Sequence, residues 1–399
     1  MSAVYEQFNQ TLADWDKIQH LRESLEHYAA ALKGRTEVDG EAAMIISASL
    51  ESIDPDFDIK EGSKVTLRAI TEGIKAAAKA AADIIAYLWN TLKALYIKFT
   101  GSIRQVRRNQ VGISKRLGKL GSKTTYEKMP VAGVQRLSVN GEFVGTKADN
   151  LQDIKDTTNY ILNMYPKSII KISRDTSRQF LNIVERTEGD DPTQVAAECM
   201  GMMVEILQRG FRPPPGHRPI SPSELTTQEK GINRGEVLPG NCAFIFTPPD
   251  TVQHNLTNGT KDPLADLERG FVMQFAELQL NVADKSEREI SVPSVSELKD
   301  LVEGIAGILT LAERGEDGVR DFNSVKTVVD DAIRQIAEKG QRNPDTGGNS
   351  VDTVLHMLGV ISKKLAEPMG HYLHWLAVTL NVYLTFIGHC IDHYENQGV

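Results

Sequence analysis

Residues 75–99 read KAAAKAAADIIAYLWNTLKALYIKF, and no proline stands between positions 63 and 110. Ile74, Ala77, Ala78, Ala81, Ile85, Leu88, Leu92, Leu95 and Phe99 keep helical spacing, which lines them up on one stripe. Alanine adds to this preference, because it loses no side-chain entropy in a helix. The pattern predicts one very long helix over 63–110, extending roughly 70 Å at 1.5 Å per residue. Lys75, Lys79, Asp83 and Lys93 lie within it, so it does not read as a membrane span. The fold class that follows is mainly α: long amphipathic helices with a small antiparallel β element in the middle.

Upstream, Val4, Phe8, Leu12, Trp15, Ile18, Leu21, Leu25, Tyr28 and Leu32 recur about every 3.5 residues and predict a helix over 4–33. A short helix from Asp39 to about Ile53 follows, ended by Asp54-Pro55-Asp56. Downstream, Gly101, Gly112, Gly118 and Gly121 each cost a helix about 1 kcal/mol relative to alanine, so 100–123 reads as a broken helix. Asn140-Gly141 between alternating apolar residues signals a hairpin within 131–144.

Helices are expected at about 147–164, broken by Pro166, then at 167–187 and from Pro192 to about Gln208. Arg212-Pro-Pro-Pro-Gly-His-Arg-Pro begins a linker-like tract over 211–223. Two β-like runs follow at 241–247 and 270–278. The second is ambiguous, because Asp262 to Leu267 could start a helix; a small antiparallel sheet is favoured, with the 131–144 hairpin open to it as a pairing partner. The remainder reads as helices at 295–313, 319–339 and 349–395, the last broken or kinked at Glu367-Pro368. The expected division is 1–127 (helical, with a basic tract), 128–290 (α+β) and 291–399 (helical).

The 399 residues are 41% hydrophobic and 25% charged, an ordinary globular composition. Cys199, Cys242 and Cys390 are odd in number and far apart, which argues for a reducing compartment over a disulfide framework. Glu6, Asp14 and Asp16 interrupt any signal-sequence pattern at the start. The acceptor-like triplets at Asn255 and Asn258 then mark only a polar loop.

Charge is distributed unevenly. The formal net charge is −8, yet no acidic residue stands between Asp83 and Glu127. Arg104, Arg107, Arg108, Lys115, Arg116, Lys119 and Lys123 fall in that window. A basic stripe on an acidic chain needs a counter-charge, from a polyanion or from its own acids, such as Asp54, Asp56, Asp58 and Glu61 just upstream. Residues 101–123 hold no aromatic side chain for base stacking and no recognised base-reading motif. Any contact with nucleic acid would therefore be to the phosphate backbone and blind to sequence.

The C-terminal segment carries His371 and His374, three apart, and His389 and His393, four apart, with Cys390 between. Both spacings suit one helix face. No HExxH or CxxC pattern accompanies them, and the surrounding Tyr372, Trp375, Leu380, Tyr383 and Phe386 read as a core or interface helix, so no metal is expected. Tyr372 to Ile391 is also apolar enough to weigh as a membrane helix. His374, Thr379, Asn381, Thr385 and His389 argue against one. Trp15, Leu25, Tyr372, Trp375 and Phe386 are the candidate interface residues. No GxSxG, GxxxxGK[ST] or strand-linked GxGxxG occurs, and Cys199, on a methionine-rich helix, reads as packing. Neither catalytic residues nor a cofactor are expected.

Leu21-x3-Leu25-x-His27, then Asp39-Gly40-Glu-Ala-Ala-Met-Ile-Ile-Ser-Ala-Ser-Leu-Glu-Ser-Ile, then a basic helix end followed by Val134-Gln-Arg-Leu-Ser-Val-Asn-Gly, carry a resemblance. Over residues 15–145 the chain resembles internal head or virion structural proteins of large contractile-tailed bacteriophages. The resemblance implies a non-enzymatic protein inside the virion. Its partners would be other virion proteins, further copies of itself and packaged DNA, and not a membrane. It also implies trimming by a prohead protease after a small residue, any residue, then Glu; Ser49-Leu50-Glu51 and Ala196-Ala197-Glu198 have that form. The alternatives are an intracellular nucleic-acid-associated protein outside the particle and an enzyme with a degenerate site. An enzyme should show a pocket of convergent polar groups, a structural protein elongated helices or apolar surface needing partners.

Overall fold

The computed structural model describes residues 1–32, 34–61, 64–121, 124, 127–130, 134–186, 192–221, 224, 231–257, 263–278, 289–314, 318–342 and 348–396. The chain is mainly helical with a few small antiparallel sheets, as expected.

Helix α1 (Ser2–Ala31) leads into β1 (Glu37–Asp39), α2 (Gly40–Ile53), β2 (Lys60–Glu61) and β3 (Lys64–Thr66). The three strands form an antiparallel sheet in the order β1-β3-β2. Strands of two or three residues carry no alternation to read, which is why the sequence did not announce them. Leu21, Leu25, Ile46, Leu50, Val65 and Ile70 form a satellite core between this sheet, α2 and the start of the next helix.

That helix, α3 (Leu67–Leu120), is unbroken for 54 residues, about 80 Å at 1.5 Å per residue. The Thr66 hydroxyl caps it, accepting the Ala69 N–H at 3.0 Å, and Gly121 ends it at φ +72°. The break expected over 100–123 is absent. Gly101, Gly112 and Gly118 face open space and together cost about 3 kcal/mol. On the opposite side Ile103, Val106, Leu117 and Leu120 are buried, each contributing about 1.5–3 kcal/mol. Burial wins, so the helix continues.

β4 (Lys128–Pro130) pairs with a late strand, β11 (Glu289–Ser291). A 3-10 turn (Val134–Leu137) opens the hairpin of β5 (Ser138–Val139) and β6 (Glu142–Phe143). Asn140 and Gly141 turn it with φ of +53° and +77°, the geometry that Asn-Gly accommodates. The hairpin does not join the main sheet as a strand. It touches the sheet through hydrogen bonds from the Asn140 N–H to Asn241 Oδ1 and from the Gly240 N–H to the Ser138 carbonyl, each 2.8 Å.

Helix α4 (Asp149–Asn159), a π-turn (Tyr160–Met164) and α5 (Tyr165–Arg186) form one continuous rod, so Pro166 does not break it. The π-turn resets the hydrogen-bond register just before the proline, which then stands in the first turn of α5, where no N–H is needed. α6 (Pro192–Gly210) follows. Next come β7 (Arg218–Pro219), β8 (Asn233–Arg234), β9 (Cys242–Phe246), α7 (Pro249–Thr257), α8 (Pro263–Gly270) and β10 (Met273–Glu277). The four strands make the expected antiparallel sheet, in the order β10-β9-β8-β7. The ambiguous segment holds both a helix and a strand.

The tract after Arg212 is tied to this layer. The Tyr160 hydroxyl donates to the Arg212 carbonyl at 2.8 Å. Buried Arg234 donates twice to the Glu224 carboxylate, at 2.6 and 3.1 Å.

The last helices are α9 (Val295–Arg314), α10 (Gly318–Arg342) and α11 (Gly348–Asn396). A capping box starts α9: the Ser294 N–H donates to Glu297 Oε2 at 2.7 Å and the Glu297 N–H to Ser294 Oγ at 3.2 Å. α11 continues through Pro368 without the expected break. Proline leaves the Lys364 carbonyl without its helical donor, and the neighbouring Leu365 carbonyl takes the Tyr165 hydroxyl at 2.9 Å. α1, α3 and α11 pack side by side. The rings of Trp15 and Phe8 fill the spaces over Gly359 and Gly370, where even a methyl group would collide. One hydrophobic cluster runs from Phe8 to Tyr394.

Candidate nucleic-acid interface

The second half of α3 divides the basic tract between two sides. Arg107 lies in the phase of the buried stripe and reaches α9. Its guanidinium meets Glu313 twice, at 2.9 and 3.1 Å, and donates to the Ala306 carbonyl at 3.2 Å and Thr310 Oγ1 at 2.9 Å. Arg116 reaches the end of α11, 2.6 Å from Asp392 and 2.7 Å from Glu395. Hydrogen bonds donated to the two carboxylates raise the Arg116 pKa, and the same contact lowers that of Glu395. These acids were not the upstream ones named from the sequence; Asp54, for instance, pairs with Lys17 at 2.9 Å.

Arg104, Arg108, Lys115 and Lys119 are exposed. At 100° per residue they fall within one quadrant of α3, opposite the buried stripe, and span about 22 Å along the axis. Gly101, Gly112 and Gly118 stand among them, with exposed Ile97 and Val111. Lys123 lies outside the described residues.

The candidate interface residues all meet their own chain. Trp15 packs on Gly359, and Leu25 packs beside Gly73 in the satellite core. Tyr372 shares a 2.7 Å hydrogen bond with Thr158, the Trp375 indole donates to the Pro239 carbonyl at 3.1 Å, and Phe386 meets Phe143 edge to face. α11 is long and apolar enough to cross a membrane by composition, and burial in this core accounts for its apolar side chains.

The four histidines do not converge. His371 and His374 face α1, where Tyr5 stacks on His374 at 3.8 Å between ring centres. Burial, with a smaller effect of Lys363, pushes the His371 pKa down to about 4. His389 is exposed. His393 sits 3.0 Å from the Glu127 carboxylate. Buried Cys390 lies against Met129, and burial pushes its thiol up to about 12. Among the described residues no group of three or more His, Cys, Asp or Glu side chains is placed to hold a metal ion.

Both protease-like triplets are helical. Leu50 is fully buried in α2, and Glu198 in α6 is paired with Arg186. A protease reads an extended segment, so cleavage at either place requires that helix to open first.

The family model for phiKZ-like phage internal head proteins matches residues 5–389. The chain belongs to this family. The resemblance read from residues 15–145 thus extends over almost the whole sequence, and it places the protein inside the phage virion in a structural role among other virion components. No curated protein and no solved structure matches the chain. For an internal head protein, the parts the sequence reading missed are the acids that hold the inward arginines. Asp392 and Glu395, three apart on the last turn of α11, were the available signal, and Arg107 already fell in the buried helical phase.

Proposed function

We propose that this internal head protein works by binding and not by catalysis, and that the outward cations of α3 lie against the phosphates of packaged DNA. One observation carries the reading. On a chain of net charge −8, Arg108, Lys115 and Lys119 share one exposed helix face, while the chain's own acids engage Arg107 and Arg116. Exposed like charges add nothing to folding; two cations about 6 Å apart repel by about 0.7 kcal/mol in water. A polyanion turns that repulsion into binding by releasing counterions.

Two concavities bear on the non-catalytic half. The larger, about 820 Å³ between α3, α10 and α11, has a floor of alanine, Ile333 and Leu355 rimmed by Lys75, Lys79, Asp83, Asp330, Arg334 and Asp352; burial pushes the Asp352 carboxyl up to about 6, and no Ser, Cys, His or Tyr stands among its described lining residues. The smaller, about 140 Å³ beside Asp153, Asp156 and Glu236, is less than half the size of ordinary ligand sites, which start at about 300 Å³.

The test is titration of a labelled DNA duplex at rising salt. Three phosphate contacts give a log–log slope of about −2.7 and a loss of about 1.6 decades in affinity between roughly 50 and 200 mM salt. Two unrelated sequences should bind alike. Arg108→Ala with Lys115→Ala should flatten the slope by about 1.8 and leave stability within about 0.5 kcal/mol. Arg107→Ala should lower stability and leave the slope alone. A salt-insensitive interaction, or none at low salt, overturns the DNA reading.

A further inference from the structure

We infer that the acidic last turn of α11 is a latch on the distal end of this stripe, withholding Arg116 from the polyanion. The inference rests on the DNA reading above and concerns its regulation.

Two carboxylates hold one guanidinium. Asp392 accepts from Nη2 at 2.6 Å, and Glu395 accepts from Nη2 at 2.7 Å and from Nε at 3.2 Å. The local sum is one negative charge, beside Lys119, which also acts on Glu395. The clamp is at the surface: the Arg116 side chain is 37% exposed, those of Asp392 and Glu395 52% and 44%. Exposed pairs of this kind contribute under about 1 kcal/mol, so α11 does not depend on them. Its end is also held by the Tyr394 hydroxyl on the Pro293 carbonyl at 3.0 Å and by His393 against Glu127 at 3.0 Å. The Arg107 contact differs. It includes a backbone carbonyl and a threonine hydroxyl, and the Arg107 side chain is less exposed, at 24%. Arg116 is thus the inward cation that exchange with a phosphate can release.

The experiment compares salt slopes for the full chain and for Asp392→Asn with Glu395→Gln. Freed Arg116 adds one contact, so the slope steepens by about 0.9 and affinity near 0.1 M salt rises on the order of tenfold. Adding Arg116→Ala to that variant should return the slope to the wild-type value. Glu6→Gln with Glu41→Gln changes net charge equally at exposed positions on α1 and α2 and should leave the slope unchanged. If the wild type binds and the Asp392/Glu395 variant has the same slope, the latch is wrong, whatever happens to stability, and the DNA reading stands. If neither binds at low salt, both fall.

Discussion

The middle of α11 and the second half of α3 use glycine in opposite ways. In α11, Gly359 and Gly370 are the floor under the rings of Trp15 and Phe8. In α3, Gly101, Gly112 and Gly118 meet nothing. Their ionisable groups follow the same division. α11 turns His371 and Glu367 toward α1, where burial shifts both from their ordinary values. The second half of α3 turns four cations to solvent. Both helices have one apolar stripe and a similar length. The difference lies in what covers the other side: most of α11 is covered by its own chain, while distal α3 is covered on one side and exposed on the other.

The sharpest way to break this comparison is Gly359→Ala. The new methyl would sit inside the Trp15 ring, so the ring or the α1–α11 spacing must move. Overpacking of this kind costs about 1–3 kcal/mol, occasionally more. A lowered urea midpoint with an unchanged urea slope is the expected result. Trp15→Ala alone should cost about 3–5 kcal/mol, and the two changes together should cost clearly less than their sum, because the methyl then enters the space the ring has left. Wild-type stability in Gly359→Ala would mean that α1 does not seat there.

A second effect is read from pH. His371 is ordinarily half-protonated near pH 6.5 and, in the fold, near about 4. Between those values the unfolded chain binds the proton first. The contribution is therefore complete above about 6.5 and is lost as the pH falls toward 4. Glu367, which burial raises, acts in the opposite sense, since its folded form holds the proton more readily. The groups around His371 include Tyr5 and Phe8 on α1 and Lys363, Glu367 and His374 on α11. Comparison with His371→Gln isolates the histidine: wild type should lose more stability than the variant between pH 6.5 and 4. Parallel profiles would mean that His371 is solvated in the fold.

The same two helices mark how far the sequence could be read. Stripes at helical spacing gave α1 and α9–α11 to within a few residues, and α3 except for its last ten, because each helix has one continuous buried face. Breaks at Gly112, Pro166 and Pro368 were read from local cost alone, and packing over tens of residues outweighed each. The β1–β3 sheet is too short to leave a period. In the basic tract, the one-signed run was visible, but its division into two sides depends on where α9 and α11 dock. The carboxylates that hold Arg107 and Arg116 come from about 200 and 280 residues away, and no local pattern announces such a pair.

The smallest expected effect, and the one that most sharpens the comparison, is Gly112→Ala. Gly112 is helical, exposed, and has no atom within 4 Å of a new Cβ. Alanine should then stabilise by about 0.5–1 kcal/mol, through better helix propensity and a less flexible unfolded chain. The sign is opposite to that at Gly359, although residue, substitution and secondary structure are the same. A methyl group adds no charge to the outward face, so the salt slope of DNA binding should not change. Thermal or urea unfolding detects the gain, and Gly101→Ala should add to it, since the two positions lie eleven residues apart and share no partner. Destabilisation at Gly112 would mean that a part of this same chain covers the outward face of α3, and Arg108, Lys115 and Lys119 would then not be open to a polyanion.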